Sequence, residues 1–154
     1  MDVFAAVFIA LWVGHSVGDH WVQTSCQAAG KGAPGWAGRA ACARHVASLT
    51  ATKVVALLPV VWLLDAPVTV TGLLLGLGVD AVSHGWADRR TTLAALARIC
   101  GLEAFHNVGT GAHPAHPVTA AGTPAATLGT GAYALDQSWH HAWLLIAALV
   151  IATV

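Results

Sequence analysis

The chain has 154 residues, enough for one domain, and 56% of them are hydrophobic. Only 9% are Asp, Glu, Lys or Arg, against roughly 25% in ordinary soluble domains, and the mean hydropathy is +0.67. So little charge cannot cover a water-facing surface, and seven basic residues balanced by seven acidic ones, with no basic tract, exclude nucleic acid as the expected partner.

The lipid bilayer is therefore the expected solvent, and the sequence predicts an all-α, four-helix transmembrane bundle in a single domain over 1–154. The first span is expected over about 3–24. Phe4 to Val13 is wholly apolar. Asp2 stands where a secretory signal would carry a basic region, so the segment reads as a retained membrane helix. Its second half, Gly14 to Thr24, places His15, Ser16, Asp19 and Gln23 on one helical face, which should look into a bundle rather than at lipid. Gly14 and Gly18 form a small-xxx-small pair that lets another helix come close.

Cys26 to Gly38 reads as a loop broken by Gly30, Gly32, Pro34 and Gly35. The second span is expected over about 40–64, with His45 in its first two turns. Lys53 near mid-span is expensive unless paired or snorkelling, and Pro59 is expected to kink the helix. The third span, about 68–88, carries Gly72 and Gly76 and then Asp80, His84 and Asp88 at i, i+4 and i+8. After Arg89-Arg90, residues 91–102 suggest a short amphipathic helix at the interface. A long loop rich in Gly, Ala, Thr and Pro is expected over about 103–130. The fourth span, about 133–154, is polar only in its first two turns, where Asp136 and His140 repeat the four-residue spacing. The three cysteines have no CxxC spacing and read as structural thiols.

Lys31, Arg39 and Arg44 cluster around the first loop, and Arg89, Arg90 and Arg98 around the third. The positive-inside rule puts both loops in the cytoplasm and both termini outside. Alternate threading then brings His15, Asp19, His45, His84, Asp88, Asp136 and His140 within about 15 Å of the cytoplasmic edge, at about 1.5 Å of rise per residue. Imidazoles and carboxylates in one layer suit Zn, Mn or Fe as a divalent ion, and paired ligands facing into a four-helix bundle are an established way to hold one. The expected metal ligands are His15, Asp19, His84, Asp88, Asp136 and His140. His20, Gln23, His45 and Gln137 are second-rank partners of the ligands or substrate contacts. A remaining carboxylate, Asp136 or Asp80, is the expected general base. His113 and His116 read as a solvated loop, and His141 as an interfacial residue facing away from the site.

Gly-His-Ser-Val-Gly-Asp-His-Trp-Val-Gln-Thr at 14–24, the lone His45, Ser-His-Gly-Trp-Ala-Asp-Arg-Arg at 83–90 and Gly-Ala-Tyr-Ala-Leu-Asp-Gln-Ser-Trp-His at 131–140 resemble a family of small bacterial and phage integral membrane proteins of unknown function, most of all its actinobacterial branch. More distantly, the His-xxx-Asp pattern on membrane helices is similar to proteins described as membrane-bound metal-dependent hydrolases. The resemblance implies a multi-pass protein of the bacterial inner (plasma) membrane and supports the polar positions, without supplying a reaction. The reading is thus a metal-dependent hydrolase of a lipid-linked or phosphorylated substrate. The alternative is a non-enzymatic membrane protein, either a small transporter or proton path or an accessory subunit whose His/Asp layer is structural. A homo-oligomer or a membrane protein partner is compatible with either.

Overall fold

The computed structural model describes residues 3–125, 127 and 129–154. It is all-helical in its regular elements, with an isolated bridge between Val118 and Pro124 the only β pairing among the described residues. The described residues form seven α-helices: α1 (Val3–Val17), α2 (Ser25–Gly30), α3 (Gly35–Trp62), α4 (Val70–Asp88), α5 (Thr91–Ile99), α6 (Glu103–His106) and α7 (Gly131–Thr153). A π-helical turn, Gly18–Val22, continues α1. Closing it, the Gln23 amide donates to the Gly18 carbonyl at 3.0 Å.

The long helices start where the sequence offers caps. The Thr69 hydroxyl accepts from the Gly72 amide and the Thr130 hydroxyl from the Tyr133 amide, satisfying first-turn donors that have no partner inside the helix. Two segments differ from expectation. The presumed first loop contains α2, which opens on a capping box in which Thr24 and Gln27 each accept from the other's backbone N–H. The second long helix begins at Gly35 rather than near 40 and runs through Pro59 to Trp62. In the long 103–130 connection, α6 occupies the first four residues. On α5, Leu93 and Ala97 are buried while Ile99 faces outward, so the apolar stripe is narrower than expected.

The helices α1, α3, α4 and α7 pack in a cycle, α1 on α3, α3 on α4, α4 on α7 and α7 on α1. Two close approaches draw it tight. A Cβ on Gly14 would stand 2.8 Å from the Lys53 Cα, and one on Gly76 2.7 Å from the Ala147 carbonyl oxygen. Only hydrogen fits at either place, as the small-xxx-small spacing predicts.

One end of the bundle is a conventional apolar core of Val7, Leu11, Leu57, Val60, Leu144 and Ile151. The other end buries His15, His45, His84, His140, Asp88, Asp80 and Lys53. Outside, Ile9, Trp12, Val55, Leu63, Leu74 and Val82 are exposed. Two helical stretches, Val3–Val22 and Gly35–Trp62, are long and apolar enough to cross a membrane. The polar turns of α4 and α7, which carry Asp80, His84 and Asp88 and then Asp136, His140 and His141, dilute the hydropathy of those two helices.

A candidate metal centre

Each helix delivers its polar residues to the same end because successive long helices run in alternate directions. His15 lies at the close of α1, Asp19 in the π-helical turn, His45 early in α3, His84 and Asp88 late in α4, and Asp136 and His140 early in α7. The four-residue spacing sets Asp19 one turn beyond His15, yet the two form no ion pair. Instead the Asp19 Oδ1 stands 3.1 Å from the His45 Nε2, and both ring nitrogens of His15 lack a hydrogen-bond partner.

Three atoms from Asp19, Asp88 and His84 converge on the His45 Nε2. This nitrogen is 3.1 Å from Asp19 Oδ1, 3.2 Å from Asp88 Oδ2 and 3.1 Å from His84 Nε2, and His84 Nε2 is 3.2 Å from the same Asp88 oxygen. Yet Asp88 Oδ2 is buried without a hydrogen bond of acceptable geometry. A neutral imidazole Nε2 carries at most one proton, so protons cannot satisfy all these contacts. Ligands about 2.0–2.1 Å from a common ion stand about 3.3 Å apart in a tetrahedron, close to the separations found. Among the described residues, the side chains that could hold a metal ion fall into two overlapping groups, Asp19 with His45 and His84, and His84 with Asp88 and His140. The donor chemistry and the orphaned atoms fit a divalent ion of the Zn, Mn or Fe class.

Of the expected ligands, Asp19, His84, Asp88 and His140 lie in these groups. His45, expected only as a supporting residue, stands in the first of these groups. His15 is wholly buried and packs its ring on His84 and His140, at centroid distances of 5.4 and 5.0 Å, but it belongs to neither group. Asp136 stays at the rim, 26% exposed, 3.4 Å from the His140 Nε2. Asp80, the other expected base, is one turn deeper and bound to Lys53 at 2.6 Å. That pairing also resolves the cost of a mid-span lysine. His141 is half-buried rather than turned away. It accepts from the Trp12 indole at 3.0 Å and meets the His15 ring edge-on.

Lys31 is the residue that sequence reasoning treated only as a topology charge. Its ammonium is 2.7 Å from Asp88 Oδ1 and 3.6 Å from Asp19 Oδ1. Arg89 and Arg90 hold the segment that carries it. Arg89 donates to the Lys31 and Ala33 carbonyls at 2.7 and 2.6 Å, and Arg90 to the Ala28 carbonyl at 2.8 Å. The sequence signal for this arrangement is Thr24-Ser-Cys-Gln27, a capping-box pattern that announces α2 and brings the chain back over the site.

The cluster opens on a cavity of about 600 Å³, walled by Asp19, Lys31, Asp88, Arg90, Tyr133 and Asp136 among others. Gln23 contacts His45 at 2.8 Å, and the Gln137 amide reaches towards Asp19 and Asp136. His20 also lines the cavity. Its Nδ1 is 2.8 Å from the Ser16 carbonyl oxygen and must donate there, which leaves Nε2 to accept from the Tyr133 hydroxyl at 3.0 Å. His106 sits in the same wall. Among the described residues, His113 bonds the Ala115 amide and His116 the Ala125 carbonyl, both within their own loop segment. Comparison with protein-family models, with curated proteins and with solved structures finds no match to this chain.

Proposed function

We propose that the chain is a four-span membrane protein with a divalent-metal centre at the cytoplasmic end of its bundle, and that it hydrolyses a lipid-linked or phosphorylated substrate. The observation that carries the reading is the mutual approach, at 3.1–3.2 Å, of the His45 and His84 Nε2 atoms with carboxylate oxygens of Asp19 and Asp88, one of which is buried without a proton to accept. A divalent ion there would supply Lewis acidity, polarising a phosphoryl or carbonyl oxygen of the substrate. Asp19, His45, His84 and Asp88 would hold it, with His140 beside them.

Asp136 suits the general base because it lines the cavity and keeps solvent contact, whereas Asp80 is committed to Lys53. Asp136 takes a proton from the attacking water as the new oxygen bond to phosphorus or carbon forms. The bond to the leaving oxygen breaks, and that oxygen departs with the proton Asp136 has taken, which returns the carboxylate. Lys31 faces the same space and offsets negative charge gathering there. The membrane assignment of all four long helices is supported by an inverted distribution of polarity: Lys53 and four histidines are buried, while large apolar side chains face out. Lys31, Arg39, Arg44, Arg89, Arg90 and Arg98 gather at the site end, which favours the cytoplasm.

The test is elemental mass spectrometry on protein purified in mild detergent without chelator. Wild type should carry a transition metal, the His45→Ala/His84→Ala double variant should lose it, and Asp136→Asn should keep it. Metal-free wild-type protein would sink the reading. A second reading, a proton path, is favoured by the buried Lys53–Asp80 pair beyond His15. In that case proton flux in vesicles would depend on Lys53, and the cluster would hold no metal.

A further inference from the structure

The cavity at the cluster does not stand alone. Leu93 of α5 belongs both to its wall and to that of a second, apolar cavity of about 270 Å³ between α5 and α7. Trp139 of α7, in the wall of that second cavity, also lines a third of about 660 Å³. This third cavity is a groove on the outer side of α4 and α7, bounded by Leu74, Gly78, Val82, Trp86 and Trp143 besides Trp139. Its walls are almost entirely carbon, and its size falls within the range of about 300–1,000 Å³ usual for small-ligand sites.

Three indoles give the groove a defined shape. Trp86 and Trp139 stack at 4.7 Å, and Trp139 and Trp143 follow at 5.7 Å. The Trp139 indole is fixed by donating to the Ser83 carbonyl at 3.3 Å. Ser83 immediately precedes His84, so the groove begins at the depth of the histidine layer and runs along α4 towards Leu74. At its polar end the first cavity presents two cations, Lys31 and Arg90, beside the carboxylates. A charged head and a hydrocarbon tail therefore have neighbouring places, whose walls share Leu93 and Trp139.

We propose that these three cavities form one binding track for a single-chain alkyl or prenyl phosphate, with the phosphate at Lys31, Arg90 and the His/Asp cluster and the hydrocarbon chain passing Leu93 and Trp139 into the α4–α7 groove. The proposal rests on the hydrolase reading for what happens at the phosphate, and on the shared walls for where the chain lies. It narrows the substrate to an amphiphile drawn from the bilayer and assigns the three tryptophans to its tail.

Gly78 provides the test. A Cβ built there meets nothing within 4 Å, and replacing a helical glycine by a residue with a side chain favours the helix. Gly78→Leu should therefore fill the groove without unfolding the protein. Wild type and Gly78→Leu are placed in phosphatidylcholine nanodiscs and irradiated with hexadecyl phosphate bearing a diazirine on its chain. Metal content and thermal unfolding are measured on the same samples.

Wild type should be labelled within 74–86 and 139–143. Unlabelled hexadecyl phosphate should compete and hexadecanol should not. Gly78→Leu should lose the label with its metal content unchanged. Equal labelling by a diazirine hexadecanol, persistence of the label in Gly78→Leu, or labelling confined to other segments would overturn the track. The two readings fail separately. Metal-loaded protein without groove labelling keeps the metal centre and discards the track, whereas metal-free protein with phosphate-dependent labelling does the reverse.

Discussion

Lys53 and Asp80 form an ion pair at 2.6 Å with both side chains buried. Desolvating two charges is costly, and their attraction offsets that cost only while both are present. Lys53→Met should therefore lower stability by about 3–5 kcal/mol, leaving Asp80 buried without a counter-ion, and Lys53→Met/Asp80→Leu should recover most of the loss. Denaturant unfolding of the two variants beside wild type measures this. A double variant no more stable than the single one would mean that Asp80 is tied to something besides Lys53. Helical spacing places Asp80, His84 and Asp88 on one face of α4, and it marks Lys53 as needing a partner. It does not reveal that the two meet, because spacing along one helix carries no information about the rotation of its neighbour. The same limit explains why His45, with no partner on its own helix, ranked below Asp136. In the bundle, the His45 Nε2 meets Asp19, His84 and Asp88 within 3.1–3.2 Å, while Asp136 remains at the rim.

At the level of the helices, close approach sets the geometry of the site. Gly76 lies against the Ala147 carbonyl and Ile151, and Gly14 against the Lys53 backbone. Gly76→Ala should force α4 and α7 apart and cost about 1–3 kcal/mol, the usual range for overpacking. Gly78→Ala, two residues away in open space, should be neutral or mildly stabilising. Thermal unfolding of the pair reads the difference, and equal midpoints would refute the close approach. The four-residue glycine spacings make these contacts legible in the sequence. The π-helical turn at Gly18–Val22, which carries Asp19, is not legible in the residue types of that stretch. Local geometry of this kind is frequent at functional sites.

Across the whole molecule, the alternation of helix direction is what gathers the polar residues. That inference needs only span lengths and the position of each His and Asp within its span, so it survives errors of several residues at the helix ends. The arrangement has a thermodynamic consequence. Four segments contribute to the two groups, the π-helical turn, α3, α4 and α7, so a bound ion would tie together those that hold it and favour the folded state. At a free metal concentration a hundred times Kd, the gain is about 2.7 kcal/mol. Stripping wild type with a chelator should lower its Tm and returning the metal should restore it, while the His45→Ala/His84→Ala variant should not respond. A wild-type Tm indifferent to both treatments would leave the cluster as hydrogen-bonded polar packing.

The guanidinium groups of Arg89 and Arg90 grip the α2–α3 segment through the carbonyls of Ala28, Lys31 and Ala33. Main-chain oxygens are the same whatever side chain they belong to, so this latch is indifferent to the identity of the residues it holds. The segment can exchange Ala28 or Ala33 and remain docked over the centre, while Lys31 alone sets the charge delivered there. Evolution, or a designer, could thus retune the entrance by rewriting one position of the latch, with the anchoring arginines left untouched.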